Sequence, residues 1–248
     1  MRVSHRVCPY WKAYLLASPL RRLSKDPAKI LSPLVRAGMT VLEPGPGLGF
    51  FTLELARLVG PSGRVVAVDV QPRILAGLKR RLSRAGLLER VDLRLVAPDS
   101  MELGDLAGGV DFVLAFSMVH ELPAPQTFFQ EVATVLKPGG GMLLGEPAPH
   151  IKSDEFENEL RMADQAGFKL VERPVIRKSQ AALLRRTGLG FVAQRGGRRR
   201  CHTLRCPARA AIPFMNSGRP KADLHRDRRG PDNGFLWDAP PKESRPAG

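Results

Sequence analysis

Cysteine is scarce in this chain: Cys8, Cys201 and Cys206 are the only three in 248 residues. Three thiols so placed build no disulfide framework, and a reducing cytoplasm is the expected setting. They do not make a metal site either. His5 with Cys8, and Cys201-His202 with Cys206, each fall short of the four ligands of a structural zinc site, so no metal is expected. No apolar run approaches the roughly 20 residues of a membrane span. Ala13 to Leu20 lies between Lys12 and Arg21, but it is short, contains Pro19 and lacks a small-residue cleavage site, which argues against a signal peptide.

What the chain does have is apolar content, at 43%, enough for a real core, and a net charge of +15. That charge is unevenly spread. Residues 188–248 carry 13 Lys+Arg against 5 Asp+Glu, a net of +8, whereas residues 1–187 carry 26 against 19, a net of +7. The last stretch is rich in Pro and Gly, holds Arg198-Arg199-Arg200 and Arg226-Asp227-Arg228-Arg229, and shows no apolar periodicity. Such a composition predicts a basic tail over 188–248 that does not form a packed core. Electrostatic docking to nucleic acid is the functional alternative for it, but no aromatic residues are interleaved with the basic runs for base stacking.

The stretch around which the chain is organised is Thr40-Val41-Leu42-Glu43-Pro44-Gly45-Pro46-Gly47-Leu48-Gly49. A short apolar strand pattern reaches an acid and then three glycines at alternate positions, and Phe51, Leu55 and Leu58 follow at helical spacing. Strand, glycine turn and helix let the backbone approach a ligand closely, with the free N–H groups of the helix start beside it. A dinucleotide fingerprint also needs a small residue three positions beyond Gly47, and Phe50 stands there. Glu-x-Gly-x-Gly-x-Gly is filled completely.

Before this stretch, Tyr10, Trp11, Tyr14, Leu15 and Leu16 are partly helical in spacing. Asp26-Pro27 reads as a helix start, with Ile30, Leu31, Leu34 and Val35 as the apolar face and Gly38 as the stop. After it, Arg64 to Val70 is a strand with both faces apolar, ending at Asp69, and Gln71-Pro72 opens a helix. Val91 to Val96 is a third strand, followed by Ala97-Pro98-Asp99-Ser100. Val110 to Phe116 is a fourth, running into Ser117-Met118-Val119-His120-Glu121-Leu122-Pro123. A helix with Phe128, Phe129, Val132 and Val135 stops at the turn Lys137 to Gly141, and Met142 to Gly145 is a fifth strand. A helix near Asp154 to Ala166 precedes strands near Phe168–Val175 and Ala181–Arg185. The spacer between these two is too short for a helical crossover, so the pair should be antiparallel.

The glycine stretch resembles motif I of the class I S-adenosylmethionine-dependent methyltransferases. Val66-Ala67-Val68-Asp69 is similar to the acidic strand end of that family, and Pro98-Asp99-Ser100 to its adenine-contacting turn. Leu136-Lys137-Pro138-Gly139-Gly140 resembles its frequent Leu-Lys-Pro-Gly-Gly turn, and Val119-His120-Glu121-Leu122-Pro123 a segment of its small-molecule subgroup. The resemblance spans residues 38–187. It implies a Rossmann-like α/β domain: a mostly parallel seven-stranded sheet with a terminal antiparallel hairpin, flanked by helices. Residues 1–37 would then be a helical segment serving as a substrate lid.

The resemblance further implies a site. Gly45, Gly47 and Gly49 would lie against the amino acid and ribose of S-adenosylmethionine, and Glu43 near its ammonium. Asp69, with Val70, would take the ribose hydroxyls, an arrangement that suits an ionised carboxylate. Asp99 and Ser100 would meet the adenine, and Ser117 and Glu146 would stand at the pocket edge. His120 would be the candidate base, with Glu121 beside it. Methyl transfer from a sulfonium is an in-line displacement that needs alignment and a dry site, so the lack of a nucleophile dyad does not count against it. The expected reaction is methylation of a small, partly apolar molecule. An RNA methyltransferase is the alternative, although no Asn-Pro-Pro-Tyr/Phe segment follows the fourth strand; a non-catalytic cofactor-binding module is another.

Overall fold

The computed structural model describes residues 25–188. Most of the expected lid, His5, His202, all three cysteines and the basic tail from residue 189 on lie outside the described residues. Seven strands form one sheet: β1 (Thr40–Pro44), β2 (Arg64–Asp69), β3 (Val91–Leu95), β4 (Val110–Phe116), β5 (Leu136–Pro147), β6 (Phe168–Glu172) and β7 (Ser179–Arg186). Their order is β3-β2-β1-β4-β5-β7-β6. The first five are parallel, and β7 pairs antiparallel with both β5 and β6. Helices α1 (Pro27–Leu31), α2 (Thr52–Leu58), α3 (Pro72–Arg84), α4 (Pro125–Val135) and α5 (Ser153–Gln165) connect and cover them. No helix among the described residues is long and apolar enough to cross a membrane.

The two-residue period of the strands divides their apolar side chains between two layers. Val41, Val65, Ala67 and Leu114 pack with Leu55 of α2 and with Leu78 and Leu82 of α3. Leu42, Val66, Val113 and Ala115 pack with Phe129 and Val132 of α4 and Phe156 of α5. Central strands buried on both faces therefore need near-continuous apolar sequence, as β2 and β4 have.

Three boundaries differ from the sequence expectation. Helix α1 begins as expected, with the Asp26 carboxylate accepting the Ala28 N–H at 3.0 Å, but it ends at Leu31 rather than near Gly38. Pro33 has no N–H to continue the ladder, and the chain goes on as turns in which Leu34 and Val35 both donate to the Leu31 carbonyl. The Leu136 to Gly140 segment is not a turn outside the sheet. It already belongs to β5, with Val110 opposite Leu136 and Phe112 opposite Gly141, so three extra residues bulge from the strand. The expected strand to Val175 leaves the ladder at Glu172, because Pro174 cannot donate to it.

The sheet order reverses at β1: the chain runs outward through β2 and β3, then returns to the other side of β1 as β4. Loops after β1 and β4 diverge there, leaving a crevice at the carboxyl ends of the strands.

Candidate active site

A cavity of about 250 Å³ occupies this crevice. Its floor is the turn after β1. Gly45 and Gly47 have φ of +66° and +55°, a region where a Cβ is strained. A Cβ on Gly45 would stand 3.2 Å from Met118 Cβ, so glycine is what lets the loop after β4 close on this turn. A Cβ on Gly47 would meet no protein atom within 4 Å; Gly47 is backbone presented to open space at the cavity. Gly49 lies outside the lining. A Cβ there would fall 2.5 Å from Leu78 Cδ1 and 2.7 Å from Leu53 Cδ1, so its small size serves the packing of α2 on α3.

Glu43 lines the cavity from the end of β1 and is almost fully buried, with Oε2 lacking any hydrogen-bond partner. Burial pushes its carboxyl up to about 8. Asp69 ends β2, and its Oδ1 accepts the Gln71 N–H at 2.8 Å. Burial, and next the negative charge of Glu121, raise Asp69 to about 6, although backbone donors pull the other way. Val70, Ser100 and the exposed Asp99 also line the cavity, as do Ser117 and Glu121. Ser117 has φ +59°, and its N–H donates to the Gly145 carbonyl, which turns the chain back over the cavity.

The short 3₁₀ turn Val119–Glu121 sends neighbouring side chains apart. Glu121 faces the cavity, whereas His120 is outside the lining and turns inward to Glu146. His120 Nδ1 is 2.5 Å from Glu146 Oε2, and the other Glu146 oxygen accepts the Val119 N–H at 2.9 Å. His120 Nε2 stands 3.9 Å from Glu121 Oε1. Burial pulls the imidazole down, but the hydrogen bond and charge of Glu146, with the charges of Glu121 and Glu159, outweigh it and hold the pKa above the ordinary value. Glu146, expected at the pocket edge, is instead fully buried beneath the loop. Glu159 of α5 is buried beside this pair; burial, and then the charge of Glu146, push it up to about 8.

Sequence reasoning had not singled out Glu159 or Glu131, although both leave a signal. Phe156, Glu159 and Ala163 fall on one helical face, and Phe156 and Ala163 are buried, so a carboxylate there is carried into the core. Glu131 lies on the helix that borders the cavity, where its Oε2 accepts the Met101 N–H at 3.0 Å. Among the described residues, no group of three or more His, Cys, Asp or Glu is arranged to hold a metal ion.

This arrangement has relatives. A family profile described as "Methyltransferase domain" matches residues 36–185, more than half of the sequence. The chain belongs to the methyltransferase-domain family. A solved structure, a SAM dependent methyltransferase from Aquifex aeolicus, is 26% identical with a TM-score of 0.65, covering 72% of this chain and 98% of that one. An arsenite methyltransferase of Halobacterium salinarum is 28% identical over 54% of this chain and 38% of its own length. A ubiquinone biosynthesis O-methyltransferase of Xanthomonas axonopodis pv. citri is 29% identical over 54% of each chain. The chain thus spans about half, or less, of these curated relatives. The fold is that of the class I S-adenosylmethionine-dependent methyltransferases, and S-adenosylmethionine is the cofactor of this methyltransferase domain.

Proposed function

We propose that this protein transfers the methyl group of S-adenosylmethionine to a small, partly apolar acceptor by in-line displacement. The observation that carries this is the make-up of the one crevice at the sheet reversal. It has a buried carboxyl group with one oxygen lacking a partner and bare glycine backbone at one end, and Phe50, Phe116, Met118 and Phe128 in its walls. These residues fit the cofactor. Glu43 offers an unused acceptor for an ammonium group, Asp69 an acceptor for a ribose diol, and Asp99 with Ser100 a polar edge for adenine. Gly47 leaves room for which a Cβ would compete.

When bound, S-adenosylmethionine supplies an electrophilic methyl group on a sulfonium. The residues of this chain bind, orient and exclude water. Glu43, Asp69 and Asp99 would hold the cofactor's amino acid, ribose and adenine parts in place, and the phenylalanines line a dry wall against which an apolar acceptor aligns. Where the acceptor loses a proton, His120 takes it up through Glu121, which stands between the imidazole and the cavity. Glu146 keeps Nδ1 occupied, leaving Nε2 as the accepting nitrogen. The small-molecule names of the relatives support this class of acceptor.

The test is calorimetry with S-adenosylmethionine and S-adenosylhomocysteine, then turnover on a panel of small neutral acceptors and on RNA. Binding of both with turnover on a small acceptor is expected. No binding of either at millimolar concentration, or turnover on RNA alone, overturns the proposal.

A further inference from the structure

Between β3 and β4 the chain has no α-helix; its regular element there is a 3₁₀ turn at Gly104–Leu106. Pro98, Asp99, Ser100 and Met101 line the cavity from this connection, so no helical ladder holds them in shape. Contacts with the rest of the fold do so instead. Ala97 and Ser100 form a bridge across the turn, and Ser100 Oγ accepts the Glu102 N–H at 3.2 Å. Glu102 has φ +50°, a region that a non-glycine residue keeps only where its surroundings hold it there. Met101 and Leu103, on either side of it, are buried in the core. Helix α4 holds the connection at two points. The Thr134 carbonyl accepts the Gly108 N–H at 3.0 Å, and Glu131 Oε2 accepts the Met101 N–H at 3.0 Å. The second contact joins residues 30 positions apart, and Glu131 itself lines the cavity.

We infer that Glu131 is a positioning residue for cofactor recognition, taking the Met101 N–H so that Asp99 and Ser100 are presented to the adenine. Phe128, Phe129, Val132 and Val135 bury one face of α4 in the core, which fixes the backbone from which Glu131 projects. A carboxylate on a fixed helix is a strong, directional acceptor for a backbone N–H. With it, the turn and the strained residue that follows have one arrangement. Without it, the Met101 N–H must find another partner, and the turn relaxes away from the cavity. Asp99 is exposed, so the backbone of this turn sets where its carboxylate stands. The adenine amino group is a donor, and a carboxylate placed against it tells adenine from a base that carries an acceptor there. This inference rests on the cofactor assignment of the preceding section.

The experiment is calorimetry on the full chain with S-adenosylhomocysteine and S-inosylhomocysteine, in which an oxygen replaces the adenine amino group. Wild type should bind S-adenosylhomocysteine about tenfold more tightly, as one charge-assisted hydrogen bond at an exposed carboxylate would give. Glu131→Ala should bring the two affinities together, mainly by weakening S-adenosylhomocysteine. Glu131→Gln, whose amide oxygen can still take the N–H, should keep the wild-type ratio. Asp99→Ala should lose the ratio as Glu131→Ala does. An unchanged ratio in Glu131→Ala, equal weakening of both ligands, or a Gln variant as impaired as the Ala variant overturns the inference. A ratio that survives Asp99→Ala but not Glu131→Ala overturns the positioning role, because Glu131 would then meet the adenine itself. Wild type that binds both ligands equally overturns the inference while leaving the rest of the cofactor assignment standing. Failure of the wild type to bind S-adenosylhomocysteine removes the assignment and the inference together. If Glu131→Ala does not fold, Glu131→Asp takes its place: it keeps the charge but withdraws the acceptor by one methylene, and an unchanged ratio in it overturns the inference.

Discussion

Glu146 grips the loop after β4 at two points: one oxygen takes the Val119 N–H at 2.9 Å, and the other lies 2.5 Å from His120 Nδ1. A single buried carboxylate thereby fixes the backbone of the turn and the orientation of the imidazole. The same turn carries Glu121 into the cavity wall. Positioning of that wall is therefore linked to the ionisation of a pair behind it.

Replacing this grip should be visible by titration. His120 has its pKa raised in the fold, so its contribution to stability is complete below the unfolded value of 6.5 and is lost as pH rises through the raised value. In Glu146→Gln, an NMR titration should show the His120 pKa falling back toward the ordinary imidazole value. Stability at pH 6 should drop by about 1–3 kcal/mol, the usual cost of disrupting a buried hydrogen-bonded group. An unmoved imidazole titration would mean that the 2.5 Å contact is not made in solution.

Glu43 gives the opposite pairing of stability and binding. Its folded-state pKa is raised from 4.5 to about 8, so it keeps its proton while the unfolded chain has lost it. Its stabilising contribution is complete below 4.5 and is lost as pH rises to about 8. Glu43→Gln, which has no carboxyl to ionise, should gain Tm over the ligand-free wild type across that window, with the gain levelling off above about 8. Its affinity for S-adenosylmethionine should fall. Thermal melts at several pH values with and without ligand check both halves, and equal pH dependence in the two proteins contradicts the first.

Asp69→Ala should weaken cofactor binding by about 2 kcal/mol, roughly 30-fold, through loss of a charged acceptor for two hydroxyls. With the wild type, affinity should also decline as pH falls through about 6, where Asp69 takes up a proton. Calorimetry across pH 5–8 tests both; a variant that binds as well as the wild type places the ribose elsewhere.

The two glycines Gly47 and Gly49 should fail in different ways. Gly47→Val projects a side chain into space free of protein atoms, so it should abolish cofactor binding while costing stability only through its φ of +55°. Gly49→Val collides with Leu78 and Leu53, and should lower stability by about 2 kcal/mol or more through overpacking. Comparison of Tm and ligand affinity for the two variants separates the roles, and the same phenotype in both would refute the distinction.

Much of this protein is determined by its sequence alone, because the signals involved are local. Apolar period distinguishes strands from helices, and a strand that ends in Glu43 or Asp69 delivers its acid to the carboxyl edge of a parallel sheet whatever its neighbours are. The glycine turn, the Asp26 cap and the antiparallel sense of the last two strands follow from a few adjacent residues. The tertiary structure decided what depends on partners distant in the chain. It inserted β7 between β5 and β6, a pairing that no local pattern encodes. It turned Gly49 from a cavity residue into a packing contact, since that depends on where Leu78 of α3 comes to rest. It brought Glu146 to His120 across 26 residues and buried Glu159 beside them. Burial and charge proximity shift a carboxyl by several pKa units, and both are set by the packed surroundings of a group rather than by its neighbours in the chain.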